Sequence, residues 1–205
     1  MAEQERRTIA EPVEYRKDAD KPGLSGYAAV CGSATEIAGL FREQIARGAF
    51  KDAVGRDDVR ALFNHDANFV LGRSTSGTLR LIEDDKGLRY DVDAPDTTWA
   101  RDLMVSVQRG DINQSSFAFE VTEEEWDYSK RGEMPLRTIK SVRLYDVSPV
   151  TYPAYGTTSV SARSLERAAK SVEEVVSEAL SAGNSVKWTL DLSRERCRLA
   201  DVSSR

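Results

Sequence analysis

Alternation between apolar and polar side chains constrains this chain more than any other feature. Ser115, Phe117, Phe119 and Val121 fall on one side of an extended segment, and Ser116, Ala118 and Glu120 on the other, because side chains along a strand project to opposite faces in turn. A second alternating run, Arg137 to Leu144, continues to Asp146-Val147-Ser148 before a loop around Pro153. The polar stretch EEEWDYSKRGEMP separates the two runs and predicts a hairpin tip. Thr78 to Glu83 and Gly87 to Val92, joined by the acidic turn EDDKG, predict a second hairpin. Val59 to Phe63 predicts a strand running into a loop at Asn64-His65-Asp66, and GYAAVC at 26–31 a short buried strand.

Helical spacing occupies the intervals. Ile37, Leu40, Phe41, Ile45 and Phe50 predict a helix over 36–47. Trp99, Leu103, Val105 and Val107 predict an amphipathic helix capped by Asp96 and ended at Gly110. Leu165, Ala168, Val172, Val175, Val176, Ala179 and Leu180 form the apolar stripe of a third helix, followed by a polar tail. Thr8 to Tyr15 alternates enough for an edge strand, but residues 1–20 are mostly charged, and Lys21-Pro22-Gly23 marks a turn where the compact part is expected to begin. The fold expected is α+β, a mostly antiparallel β-barrel or sheet with surrounding helices. Its parts are a polar N-terminal segment at 1–20, a catalytic domain at 21–160, and a C-terminal helix and tail at 161–205 that suits a detachable element.

Composition narrows the function. Against 34 acidic residues stand 29 basic ones, a net charge of −5 with the signs interspersed, which points away from nucleic acid as a partner. The charged opening lacks the apolar stretch of a secretory signal, and no segment approaches the ~18 apolar residues of a membrane span. Action in the cytoplasm is expected. Cys31 and Cys197 match no paired metal or redox spacing and read as free thiols.

For chemistry, the chain offers a single histidine, His65. A hydroxyl nucleophile needs a base of near-neutral pKa, and imidazole, at about 6.5, is the usual one. On its own a histidine in a polar Asn-His-Asp turn is more often plain surface. Zinc hydrolysis is disfavoured, because such sites use two or three histidines or cysteines. Asp84, Asp85, Asp91 and Asp93 could be imagined around magnesium, yet solvated charge on a hairpin is their ordinary reading. An esterase-type Gly-x-Ser-x-Gly elbow is missing.

Three segments add specificity when taken in order: ALFNHDANFVLGRSTSGTLRLIEDDKGLRY, RGDINQSSFAF and LYDVSPVTYPAY. Together they resemble the tailed-phage prohead proteases over about residues 8–160, a family similar in fold and chemistry to the herpesvirus assemblins. The resemblance implies that His65 is the general base and Ser116 the nucleophile. Ser115 and Ala118 stand where the family commonly has Met and Gly. Alternation favours Ser116 over Ser115, because Ser116 shares its side with the small Ala118 while Ser115 shares its side with Phe117 and Phe119. The motif Leu-x-acid-Val-Ser implies Asp146 as the carboxylate that orients His65, with Asp66 as its rival and a pairing with Arg143 or Arg137 as the plain structural role. Oxyanion donors are expected in 147–152. No metal or cofactor is implied. The implied substrates are the scaffolding region of the phage major capsid protein and the protease itself, cut inside the immature capsid in the bacterial host; a homo-oligomer is left open. The competing expectation is a non-catalytic capsid assembly or scaffolding factor on the same fold.

Overall fold

A computed structural model describes residues 4–9, 11–16, 22–37, 39, 41–128 and 134–152. The helix expected at 165–180 and the proposed detachable element at 161–205 lie outside the described residues. In chain order the elements are β1 (Glu5–Ile9), β2 (Glu14–Arg16), β3 (Gly23–Val30), β4 (Thr35–Ile37), β5 (Phe41–Ile45), α1 (Lys51–Arg56), β6 (Arg60–Phe63), β7 (Asp66–Arg73), β8 (Leu79–Glu83), β9 (Gly87–Asp93), α2 (Thr98–Gln108), β10 (Gln114–Asp127) and β11 (Leu136–Val150).

The long β10–β11 hairpin is the spine. On one side β1 pairs antiparallel with β10, and on the other β11 pairs in parallel with β5 at its start and with β6 near its end. With β4 beside β5 and β7 beside β6, seven strands make one sheet, and β2-β3-β9-β8 make a second, all antiparallel. The architecture is thus mostly β-sheet with few helices. Among the described residues no barrel closes, so of the two arrangements expected, the open sheet is the one observed.

Apolar faces of both sheets and α1 meet in one core. Phe117 and Phe119 stack at 4.7 Å, and Phe50, just before α1, packs edge-on to Phe117 at 5.7 Å. All three are fully buried, as the alternation along 115–121 requires.

One expectation is overturned. The helix over 36–47 is instead the β4–β5 hairpin, turning at Gly39 with φ 70. Ile37 of β4 faces Phe41 of β5 across the turn and Ile45 lies four residues further along β5, so all three are buried together, and the same spacing of four would align them on a helix. The N-terminal segment contributes β1 and β2 to the two sheets. Two charges on β1, Glu5 and Arg7, are neutralised internally: Arg7 binds Glu43 at 2.6 Å, and Arg137 binds Glu43 at 2.8 Å and Glu5 at 3.1 Å. Burial alone would raise the Glu5 carboxyl, but hydrogen bonding and charge from Arg137 and Arg7 outweigh it and hold it below the ordinary range. This knot ties β1 to β5 and β11 across the sheet, and breaking it by removing one member leaves a buried charge unpaired.

The helix expected from Asp96 to Gly110 is α2. Its N-cap is Thr97, with no side-chain capping bond, and Asp96 pairs with Arg101 instead. Gly110, at φ 80, ends it in the left-handed conformation that helix termini favour.

Candidate active site

Position comes first from a two-residue hairpin turn. Phe63 of β6 pairs with Asp66 of β7, and the two residues between them, Asn64 and His65, have φ of 54° and 57°. Positive φ at both central positions is the requirement of a type I′ hairpin turn; Asn adopts it readily, whereas the second position is most often Gly. The turn is held at the end of β11 by three bonds: Asn64 N–H to the Pro149 carbonyl at 3.0 Å, Asn64 Nδ2 to Thr151 Oγ1 at 3.1 Å, and Thr151 N–H to Asn64 Oδ1 at 2.8 Å. A non-glycine residue kept in this region by such anchoring is a mark of a functional constraint.

The turn swings the imidazole of His65 over β10 and β11. Nδ1 lies 2.6 Å from Asp146 Oδ1, and Nε2 lies 2.7 Å from Ser116 Oγ. On the strands, Ser116 pairs with Ser148 and Ala118 with Asp146. The fully buried Ala118 has only a methyl group at this point. Anionic Asp146 accepts the Nδ1 proton, which leaves Nε2 free to accept from the Ser116 hydroxyl.

The site is enclosed. Ser116 is 1% exposed, and the side chains of His65 and Asp146 are 8% and 7% exposed. Ser116 Oγ also lies 3.0 Å from the Arg7 carbonyl oxygen on β1, an alternative acceptor for its proton. When Nε2 carries a proton and donates to Oγ, the hydroxyl hydrogen can turn to Arg7.

The neighbouring residues separate cleanly. Ser115 points the opposite way, between the sheets, and its Oγ meets the Tyr90 hydroxyl of β9 at 2.7 Å, both groups fully buried. Asp66 does not bond to His65; its Oδ1 accepts from the N–H of Asn68 at 2.8 Å and from Asn68 Nδ2 at 2.9 Å. Arg137 is engaged with Glu5, Glu43 and Glu124, and the Arg143 guanidinium lies over the Tyr145 ring at 5.7 Å. Asp93 serves Arg80 and Arg16, and Asp84 accepts from Tyr27 and from the Lys86 and Gly87 amides. In 147–152, Pro149 has no N–H and Thr151 N–H is used by Asn64.

Sequence reasoning missed two participants: the Arg7 carbonyl and Ser148, whose buried hydroxyl donates to Asp146 Oδ1 at 2.6 Å. Strand alternation could have found Ser148, since it sits two residues beyond Asp146 on the same face.

A serine hydroxyl on an imidazole that rests on a buried carboxylate is the arrangement of a serine peptidase. A family model described as Caudovirus prohead serine protease matches residues 11–171, and the chain belongs to that family. It is thus a serine protease of capsid maturation. Among solved structures it is similar to the bacteriophage T4 capsid assembly protease, gp21, with 12% identity, a TM-score of 0.50, and coverage of 74% of this chain and 98% of that one. At that identity the likeness is one of fold. No curated protein matches.

Proposed function

We propose that Ser116, His65 and Asp146 form the catalytic triad of an endopeptidase that cuts the scaffolding region of the phage major capsid protein, and its own chain, within the immature capsid. The supporting observation is His65 bridging Ser116 and Asp146 at 2.7 and 2.6 Å. Ser116 Oγ attacks the scissile carbonyl carbon while its proton passes to His65 Nε2, and Asp146 stabilises the imidazolium that forms. The same proton then goes to the departing amine as the C–N bond breaks. A water, deprotonated by His65, hydrolyses the Ser116 ester and restores the hydroxyl. A fold shared with the herpesvirus assemblins is part of this proposal. Action inside the capsid also fits the finding that, among the described residues, no helix is long and apolar enough to cross a membrane.

The test is to express the full chain with its capsid protein, beside Ser116→Ala, Ser115→Ala and His65→Ala versions, and to measure the masses of both proteins. Cleavage is expected with the unaltered chain and with Ser115→Ala only. Both proteins at their uncut masses in all four samples, with shells still assembled, would establish the non-catalytic scaffolding role instead.

A further inference from the structure

We propose that Ser148 is a positioning residue of the triad, one that locks the Asp146 carboxylate toward His65; the inference rests on the triad reading above. Asp146 and Ser148 lie two apart on β11 and project to the same face, and Ser148 is the direct cross-strand partner of Ser116. Its side chain is fully buried, so its hydroxyl must find its partner within the protein. That partner is Asp146 Oδ1 at 2.6 Å, the same oxygen that meets His65 Nδ1 at 2.6 Å.

Two donors on one carboxylate oxygen have a geometric consequence. With His65 as sole donor, the carboxylate could rotate and exchange its oxygens while the imidazole followed, loosening the alignment of Nε2 with Ser116. A second donor from β11 itself occupies the other lone-pair direction of Oδ1 and fixes the torsion. The imidazole is then held from below by a group that is part of the sheet, as a precise site requires. Ser148 is no rival nucleophile, because its proton is committed to Asp146 and its bonded partner is that carboxylate rather than His65.

The test uses the full chain and a fluorophosphonate, which reports nucleophile activation without a known substrate: the Ser116 Oγ–P bond forms, the P–F bond breaks, fluoride leaves, and the hydroxyl proton goes to His65. Losing one hydrogen bond to the charged group should slow labelling about tenfold in Ser148→Ala, and Ser148→Thr should recover to within about threefold. Since His65 is the sole histidine, the proton NMR resonance of its Nδ1–H, which lies far downfield when bonded to a carboxylate, can be followed in the same samples. It should broaden or move upfield in Ser148→Ala and return in Ser148→Thr. Unchanged rate and resonance in Ser148→Ala, whatever its thermal midpoint, would overturn the proposal. Should the alanine variant fail to fold, Ser148→Cys, a weaker and longer donor, is expected to show the same two losses, and their absence would overturn it equally. Failure of the unaltered chain to label at Ser116 would sink the triad reading, while the resonance alone would still decide whether Ser148 holds the Asp146–His65 contact.

Discussion

Removing the carboxylate under His65 separates the contributions of charge and of alignment. In Asp146→Ala, the imidazolium that forms during attack loses a charge-assisted bond, about 3 kcal/mol, and its Nδ1–H is left without a partner in a site under one-tenth exposed, about 2 kcal/mol more. Together, about 5 kcal/mol corresponds to about 10⁴ in rate. Asp146→Asn should be milder. Ser148 and His65 both donate to Oδ1, so the amide oxygen can keep both bonds, and only the charge is lost, about 2 kcal/mol or roughly 30-fold. Adding Ser148→Ala to Asp146→Asn frees the amide to turn its NH₂ toward Nδ1, which forces the wrong tautomer and should bring the loss to about 10⁴. The assay is the second-order rate of fluorophosphonate labelling, read by intact mass. Asp146→Ala within about tenfold of the unaltered chain would refute the orienting role, and equal losses in Asp146→Asn with and without Ser148 would refute the account of why the asparagine is mild.

Three other outcomes follow from the structure. Ser115→Ala strips the buried Tyr90 hydroxyl of its 2.7 Å partner; the urea midpoint should fall by the equivalent of about 1–3 kcal/mol, labelling should be unchanged, and adding Tyr90→Phe should recover part of the loss. Hydrogen bonds from Arg80, helped by Arg16 and opposed by desolvation, lower the Asp93 carboxyl from 3.8 to about 2. Its stabilising contribution is therefore present above pH 3.8 and lost as pH falls toward 2, so Asp93→Asn should lower the thermal midpoint at neutral pH and match the unaltered chain near pH 2. Burial, reinforced by the nearby Glu83 charge, pushes the Cys31 thiol up to about 11; peptide mapping after alkylation at pH 8 should find Cys31 modified only in urea.

Much of the site was legible because β-structure converts sequence parity into geometry. Parity alone put Ser115 on the side of Phe117 and Phe119 and Ser116 on the other, and the motif order supplied His65 and Asp146. What parity could not reveal was the conformation at His65. Asp66 is a rival by its place next to His65 in sequence, but His65 is in a left-handed turn that carries its ring to Asp146, and Asp66 is occupied with Asn68. Spacing also misled at 36–47, where Ile37, Phe41 and Ile45 recur every four residues as on a helix, while the turn at Gly39 instead sets Ile37 opposite Phe41 on paired strands. The charged stretch holding Glu5 and Arg7 carries no local sign of burial, because the neutralising partners, Glu43 and Arg137, are 36 to 132 residues away in the chain. Long-range charge pairing leaves no local pattern.

The central claim, that Ser116 is the nucleophile activated by His65, is tested most directly by locating the adduct after fluorophosphonate treatment. Tandem mass spectrometry of the peptide spanning Ser115 and Ser116 should place a single adduct on Ser116 in the unaltered chain and find none in His65→Ala. An adduct on Ser115, or labelling that survives His65→Ala at the same rate, would contradict the account.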